Sequence, residues 1–250
     1  MGSGIYSALS GAIAQERTLS VVANNVANAN TTGFKADRVA FDEALAKEVA
    51  AASERSASMK YVGLNRVEAD RSTGAVKQTG RALDLAIQGD GFFTVETPQG
   101  ERFTRAGSFV VDSEGVVRTQ SGYRLLQLAG KLARRGQEIA LPRPDATVTV
   151  GEDGTMLADG QEVGQLKLAR FERPGELKKE GLTMFAAENG AVARELAGAQ
   201  VLQGALEISN VNAVSGMNEL ITVTRAFDAL QRVIKTFREV DQKANELATR

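Results

Sequence analysis

The chain has 250 residues, is 43% hydrophobic and carries 30 Lys plus Arg against 31 Asp plus Glu. That is enough apolar content for one moderate core, or a small core with extended elements, and there is no basic excess of the kind that nucleic acid selects. Cys, His and Trp are all absent, which excludes thiol nucleophiles, disulfides, Cys/His zinc sites and histidine-based triads together.

The opening "MGSGIYSALSGAIAQERTL" lacks a positively charged start and an uninterrupted apolar stretch, so a cleaved secretory signal is not expected. Within it, Ile5, Leu9, Ala12, Leu19, Ala23 and Val26 recur mostly at spacings of three and four, which predicts a long helix with a coiled-coil-like apolar stripe. Gly4, Ala8, Gly11, Ala12 and Ala14 crowd its first half, where small residues let another helix approach closely. The helix runs into "ANNVANANTTGFK", residues 23–35. Gly33 ends it, because glycine takes the left-handed conformation without steric cost, and Phe34 follows. Capping needs only one Asn or Gly. Asn24, Asn25 and Asn28 are therefore read as making hydrogen bonds across an interface, with capping alone as the alternative.

Residues 36–75 include the Ala/Ser/Glu-rich "AKEVAAASERSAS" and have no clear period, so they read as an extended connector. From 76 to 200 the composition changes, with most of the 25 glycines and short alternating runs. "FFTVETPQGERFTRAGSFVVDSEGVVRT" reads as three strands joined by turns at Pro98–Gly100 and Ser113–Gly115. "ATVTVGEDGTMLADGQEVGQLKLARF" repeats the pattern, with turns at Glu152–Gly154 and Asp159–Gly160. "QGDGFF" and the acidic turns lack the Lys-Ser/Thr of a phosphate loop and the alternating carboxylates of a calcium loop, so they read as hairpin turns. Asp84, Asp90, Asp112 and Asp153 are the carboxylates left for acid/base chemistry, and their turn and strand settings favour local roles. The short "KLARR" at 131–135 is the one strongly basic run.

At the far end, "SNVNAVSGMNEL" places Asn210 and Asn212 before a second long helix, with Asn212 or Ser215 as its cap. Val223, Ala226, Leu230, Val233, Phe237, Val240, Ala244 and Leu247 alternate spacings of three and four without a break. Leu220, Phe227 and Ile234 form a second stripe on an adjacent face, so this helix has more than one neighbour. No run reaches the roughly 18 apolar residues of a membrane span, and no direct membrane insertion is expected. The fold class is α+β: long N- and C-terminal helices forming a coiled-coil-like inner domain (1–35 and 201–250), a connector (36–75) and a central antiparallel β domain (76–200). No catalytic, cofactor or metal site is expected.

Three stretches carry a resemblance. "ANNVANANTTGFK", "DLAIQGDGFFTVETPQGERFTRAGSF" and "LEISNVNAVSGMNELITVTRAFDALQRVIK" resemble the N-terminal, central β and C-terminal motifs of the bacterial flagellar rod and hook axial proteins. The opening is most similar to the proximal rod branch of that family, with the distal rod branch as the alternative. The resemblance implies a non-enzymatic subunit of the basal-body rod, the shaft that crosses the periplasm and carries motor torque to the hook. It also implies export through the flagellar type III apparatus without a cleaved signal. The partners implied are proximal and distal rod subunits, further copies of this chain and the export apparatus. The terminal helices would form an inner tube, with Asn24, Asn28, Asn210 and Asn212 cross-linking it where the β domains begin. Two readings compete from other classes: a secreted β-rich binding module oligomerised by coiled coils, and a carboxylate hydrolase with a raised-pKa acid in a cleft.

Overall fold

Helix α1 (Gly2–Ala27) and helix α2 (Ala213–Ala248) bracket a chain of short strands. The computed structural model describes residues 2–44, 61–128, 138–172, 177–188, 191, 193–195 and 200–248. The runs at 46–58 and 131–135 singled out above therefore lie outside the described residues. The chain divides into a helical unit, residues 1–27, 37–68 and 212–250, and a β unit, residues 28–36 and 69–211. This is an α+β architecture with terminal helices and a central antiparallel β domain.

In the helical unit, α1 and α2 run antiparallel. Gly4 lies against the Phe237 ring, Gly11 against Leu230, and Gly216 against Val26. A Cβ at these glycines would sit 3.1, 3.5 and 2.7 Å from those side chains, so the small residues on α1 do admit a close neighbour. Ala8, Ala12 and Ile234 form the buried centre, with Phe227 and Leu230 packed on it. The face that α2 turns to α1 thus joins members of both predicted stripes. Val233 and Val240, placed by the sequence on one seam with Leu230 and Phe237, are 43% and 46% exposed. The reason is helical geometry: at 3.6 residues per turn Val223, Phe227, Leu230, Ile234 and Phe237 fall within roughly 40° of one direction, which α1 covers, whereas Val233 and Val240 lie roughly 80° to 100° around the helix from it. The side chains of Ala244 and Leu247 lie outside the described residues. Strands β1 (Asp37–Ala44) and β2 (Tyr61–Ala69), within the segment read as a connector, pair with each other.

The β unit opens with β3 (Val76–Gln78) and β4 (Leu85–Gln88). Hairpin β5 (Phe92–Thr97) and β6 (Gly100–Thr104) follows, then β7 (Phe109–Val111), β8 (Val117–Thr119) and β9 (Arg124–Leu125). One edge of β5 pairs with β6. The other is shared end to end by β9, through Val95–Leu125, and by β13 (Leu168–Arg170), through Phe93–Leu168. A meander of β10 (Val148–Val150), β11 (Thr155–Ala158) and β12 (Gln161–Gln165) lies between them in sequence. Beyond β13, β14 (Leu177–Glu180) pairs with β15 (Met184–Ala187), and β15 with β6. The short β16 (Arg194–Glu195) pairs with β13. Finally β17 (Gln200–Gln203) returns to β4 and β18 (Ala205–Glu207) to β3.

Adjacent residues of β5 point to opposite faces, as strand geometry requires. Phe93 joins the larger core with Leu85, Ile87, Phe109, Ile139 and Met156. Phe92 joins a second cluster with Phe103, Phe171 and Phe185, whose rings meet edge to face at centroid distances of 4.8 to 6.3 Å.

Candidate functional site

Where α1 ends, the asparagines take separate tasks. Asn25 grips the backbone of Asp37 at both ends: its Nδ2 donates to the Asp37 carbonyl and its Oδ1 accepts the Asp37 N–H, each at 2.8 Å. Asn210 holds the N–H of the preceding residue within the β unit. Its Oδ1 accepts the Ala36 N–H at 2.8 Å, while its Nδ2 donates to the Asp70 carbonyl at 2.9 Å and to Ser72 Oγ at 3.0 Å. Side-chain amides thus take up the N–H groups of Ala36 and Asp37 and the Asp37 carbonyl, while the Ala36 carbonyl accepts the Asp70 backbone N–H. This is the accounting that buried backbone demands. Asn28 is buried and accepts from Thr31 Oγ1 at 3.1 Å. Asn212 is the cap of α2, its Oδ1 accepting the Ser215 N–H at 3.0 Å. Asn24 is exposed.

Gly33 has φ +68° and its N–H donates to the Glu207 carbonyl at 2.8 Å. Phe34 behind it is completely buried, with the Lys179 ammonium 4.0 Å from its ring centroid. Lys35 is buried as well. Its Nζ donates to Glu207 Oε1 and to the Ser72 carbonyl, both at 2.6 Å. The other carboxylate oxygen of Glu207 accepts from Arg105 at 3.0 Å, and Oε1 also accepts the Gly74 N–H at 2.9 Å. Arg105 donates further to the carbonyls of Ile87 and Gly89 and lies over the Phe92 ring. One buried carboxylate therefore serves two buried cations.

Burial holds the Lys35 ammonium below its usual value of 10.5, against the hydrogen bond and charge of Glu207, and the neighbouring Arg105 deepens the depression. Below that depressed value both folded and unfolded chains carry the proton, and the cost of burying it is felt in full. As pH rises from there toward 10.5 the folded chain releases the proton first, so stability climbs across that window. We expect Lys35→Met to abolish this climb. Urea midpoints at about pH 8 and about pH 10 should differ less in the variant than in the parent; equal differences would contradict it.

The remaining positions singled out in the sequence divide by exposure. Val223 is buried; Ile5, Leu19, Val26, Leu220, Phe227, Leu230 and Phe237 are half-buried along the α1–α2 pair. Leu9, Val233 and Val240 face outward. Leu9 belongs to an uncovered stripe on α1, Tyr6, Leu9 and Ile13, matched on α2 by Val214, Met217 and Ile221. Lys35, Arg105 and Glu207 were not found by sequence reasoning. The one available signal was a basic residue directly after an aromatic in a turn motif.

Of the carboxylates weighed for catalysis, Asp112 and Asp153 serve local bonds, while the buried Asp84 lies 3.7 Å from Arg81. Asp112 accepts from Arg118 and from the N–H groups of Glu114 and Val116. Burial would raise its pKa, but those bonds hold it below the usual carboxylate value. Asp153 is held low by Thr155. A general acid needs the opposite shift. Among the described residues no group of three or more His, Cys, Asp and Glu is placed to hold a metal ion, and no helix is long and apolar enough to cross a membrane.

Comparison with known proteins is consistent along the chain. Residues 5–35 match the family model described as flagella basal body rod protein. Residues 86–158 match the flagellar hook protein FlgE/F/G D1 domain, and residues 202–247 the flagellar basal body rod FlgEFG protein C-terminal region. The flagellar basal-body rod protein FlgF of Caulobacter vibrioides is 35% identical over 246 residues, covering 98% of each chain. FlgF of Rhizobium meliloti is 34% identical, covering 94% of this chain and 93% of its own. FlgG of Bacillus subtilis is 32% identical, covering 96% of each.

Proposed function

The chain belongs to the flagellar basal-body rod protein family, and on that premise we propose that it polymerises into the rod through the outward faces of α1 and α2. It is a structural subunit, not an enzyme. Its relatives are rod proteins, and the finer reading assigns it to the proximal rod, as a FlgF, with the distal rod protein FlgG as the alternative. The FlgF chains of Caulobacter and Rhizobium, at 35% and 34% identity, support the first. FlgG of B. subtilis at 32% keeps the second close. Complementation of strains lacking one or the other separates them: FlgF requires rescue of the proximal deletion only.

The observation that carries the assembly reading is the pair of uncovered apolar stripes, Tyr6, Leu9 and Ile13 on α1 and Val214, Met217 and Ile221 on α2, with Val233 and Val240 further along. Aligned apolar residues on both helices of one unit are sites for neighbours. A head-to-tail contact that does not close produces an open helical filament. In this reading the helices make a coiled-coil-like inner tube, and the subunit reaches the periplasmic rod through the flagellar type III apparatus without a cleaved signal.

Three aspartate substitutions on α2 test it. Val233→Asp changes an exposed residue, so the stability of the free subunit should move by no more than about 0.5 kcal/mol. Covered by a neighbour, the same change forfeits about 1.5 to 3 kcal/mol of apolar burial and adds desolvation of an unpaired carboxylate. The strain should export the chain yet fail to swim. Ile234→Asp strikes the buried α1–α2 contact and should destabilise the free subunit itself. Arg232→Asp, exposed and off the stripes, should retain motility. Equal swimming of the Val233→Asp and Arg232→Asp strains would reject this face as an assembly surface.

A further inference from the structure

We propose that the β unit carries a peptide-recognition cleft specific for Gly-Phe-Lys-Ala, filled in the free subunit by the chain's own residues 33–36 and open to the same segment of a second copy when its own is displaced. The partner is another copy of this chain, and the recognition is independent of the exposed helical stripes.

Each residue of the tetrapeptide is read separately. At Gly33 the backbone of Arg105 and Ala106 leaves no space for a side chain, since an added Cβ would lie 2.2 Å from the Ala106 nitrogen. Phe34 is fully buried with the Lys179 ammonium over its ring, and Lys179 also donates to the Lys35 carbonyl at 2.7 Å. Lys35 meets Glu207 and the Ser72 carbonyl. At Ala36 the N–H goes to Asn210, and the carbonyl accepts the Asp70 N–H at 2.7 Å.

The pattern combines main-chain hydrogen bonds for affinity with side-chain sites for selectivity, the usual division of labour when a protein captures an extended peptide. Apart from the Thr31 carbonyl, which accepts the Phe34 N–H at 3.2 Å, the groups that receive the segment come from residues 69–211, among them Asp70, Ser72, Arg105, Lys179, Glu207 and Asn210. None of these contacts depends on the segment being covalently part of the same chain. In the free subunit the tethered segment wins because its effective concentration is high. Exchange between copies satisfies the same contacts at no loss of hydrogen bonds, as in domain swapping.

The test uses the full chain and a fluorescent peptide of its residues 28–37. Gly33→Val expels the resident segment and leaves the receiving residues untouched. Anisotropy titration should show saturable binding to this variant at least tenfold tighter than to the parent chain, whose cleft is filled. A peptide carrying Lys35→Glu should not compete. Should the Gly33→Val chain prove unfolded alone, the wild-type peptide must restore its folded circular dichroism and raise its Tm in a dose-dependent way, while the Lys35→Glu peptide must not. A folded variant that ignores the peptide, an unfolded one that the peptide does not rescue, or equal binding of both peptides would each overturn the proposal. No readout involves motility, so failure here leaves the rod assignment standing.

Discussion

Replacing Glu207 with alanine is expected to destabilise the β unit by about 3 to 5 kcal/mol, the range seen when one partner of a buried ion pair is removed. Glu207 and Lys35 are each 1% exposed and Arg105 is 3% exposed. Without the carboxylate, two buried cations lose the counter-charge they share, and the Gly74 N–H loses its acceptor. The loss should show as a lowered urea midpoint followed by circular dichroism. Adding Lys35→Met to the Glu207→Ala chain should recover part of it, because one orphaned cation is gone, with a coupling of at least about 0.5 kcal/mol between residues in direct contact. Additive effects of the two substitutions, or a Glu207→Ala chain as stable as the parent, would contradict the triad as described. The arrangement also gives Arg105 an anchoring role: held by Glu207, Ile87 and Gly89, it fixes the loop after β4 against the strand end at β18.

Gly33→Val is the second large effect. Its φ of +68° excludes a β-branched residue, and the clash partners are backbone atoms of Arg105 and Ala106 at 2.2 to 2.6 Å, which cannot swing aside. Backbone strain and overpacking together amount to about 2 to 6 kcal/mol. Asn30→Ala, an exposed position three residues earlier, should move stability by no more than about 0.5 kcal/mol. We expect a lowered midpoint and lost swimming for Gly33→Val, and a normal midpoint and normal swimming for Asn30→Ala. A Gly33→Val strain that swims like its parent would show that the turn is not required.

These two substitutions fall where the sequence was most and least informative. Gly33 was legible because a left-handed stop after an asparagine-rich helix end is a local signal. The hairpin turns at Pro98–Gly100 and Asp159–Gly160 were legible for the same reason. The triad was not, because Lys35 lies 172 residues from Glu207 in sequence and Glu207 lies 102 from Arg105, and no local pattern marks such a pairing. The asparagines fall between. Their type announced hydrogen-bonding work, but the partners of Asn25 and Asn210 are the peptide groups of residues 36 and 37, which carry no side-chain signature. On α2 the apolar positions were legible and their division was not. Val233 belongs to an unbroken heptad run, yet α1 packs on the side where Val223, Leu230 and Phe237 of that run meet Phe227 and Ile234 of the other, which leaves Val233 outward. In residues 37–44, "DRVAFDEA", weak alternation among charged residues concealed a strand whose pairing with β2 is non-local.

The account as a whole rests on α1 and α2 packing against neighbouring copies in a rod. The most direct measurement is a density map of purified basal bodies from the source bacterium, at a resolution that traces side chains. The account predicts this chain in the rod, with Tyr6, Leu9 and Ile13 of one copy and Val214, Met217 and Ile221 of it or the next covered by other subunits. A rod lacking the chain, or one in which both stripes face open solvent, would contradict it.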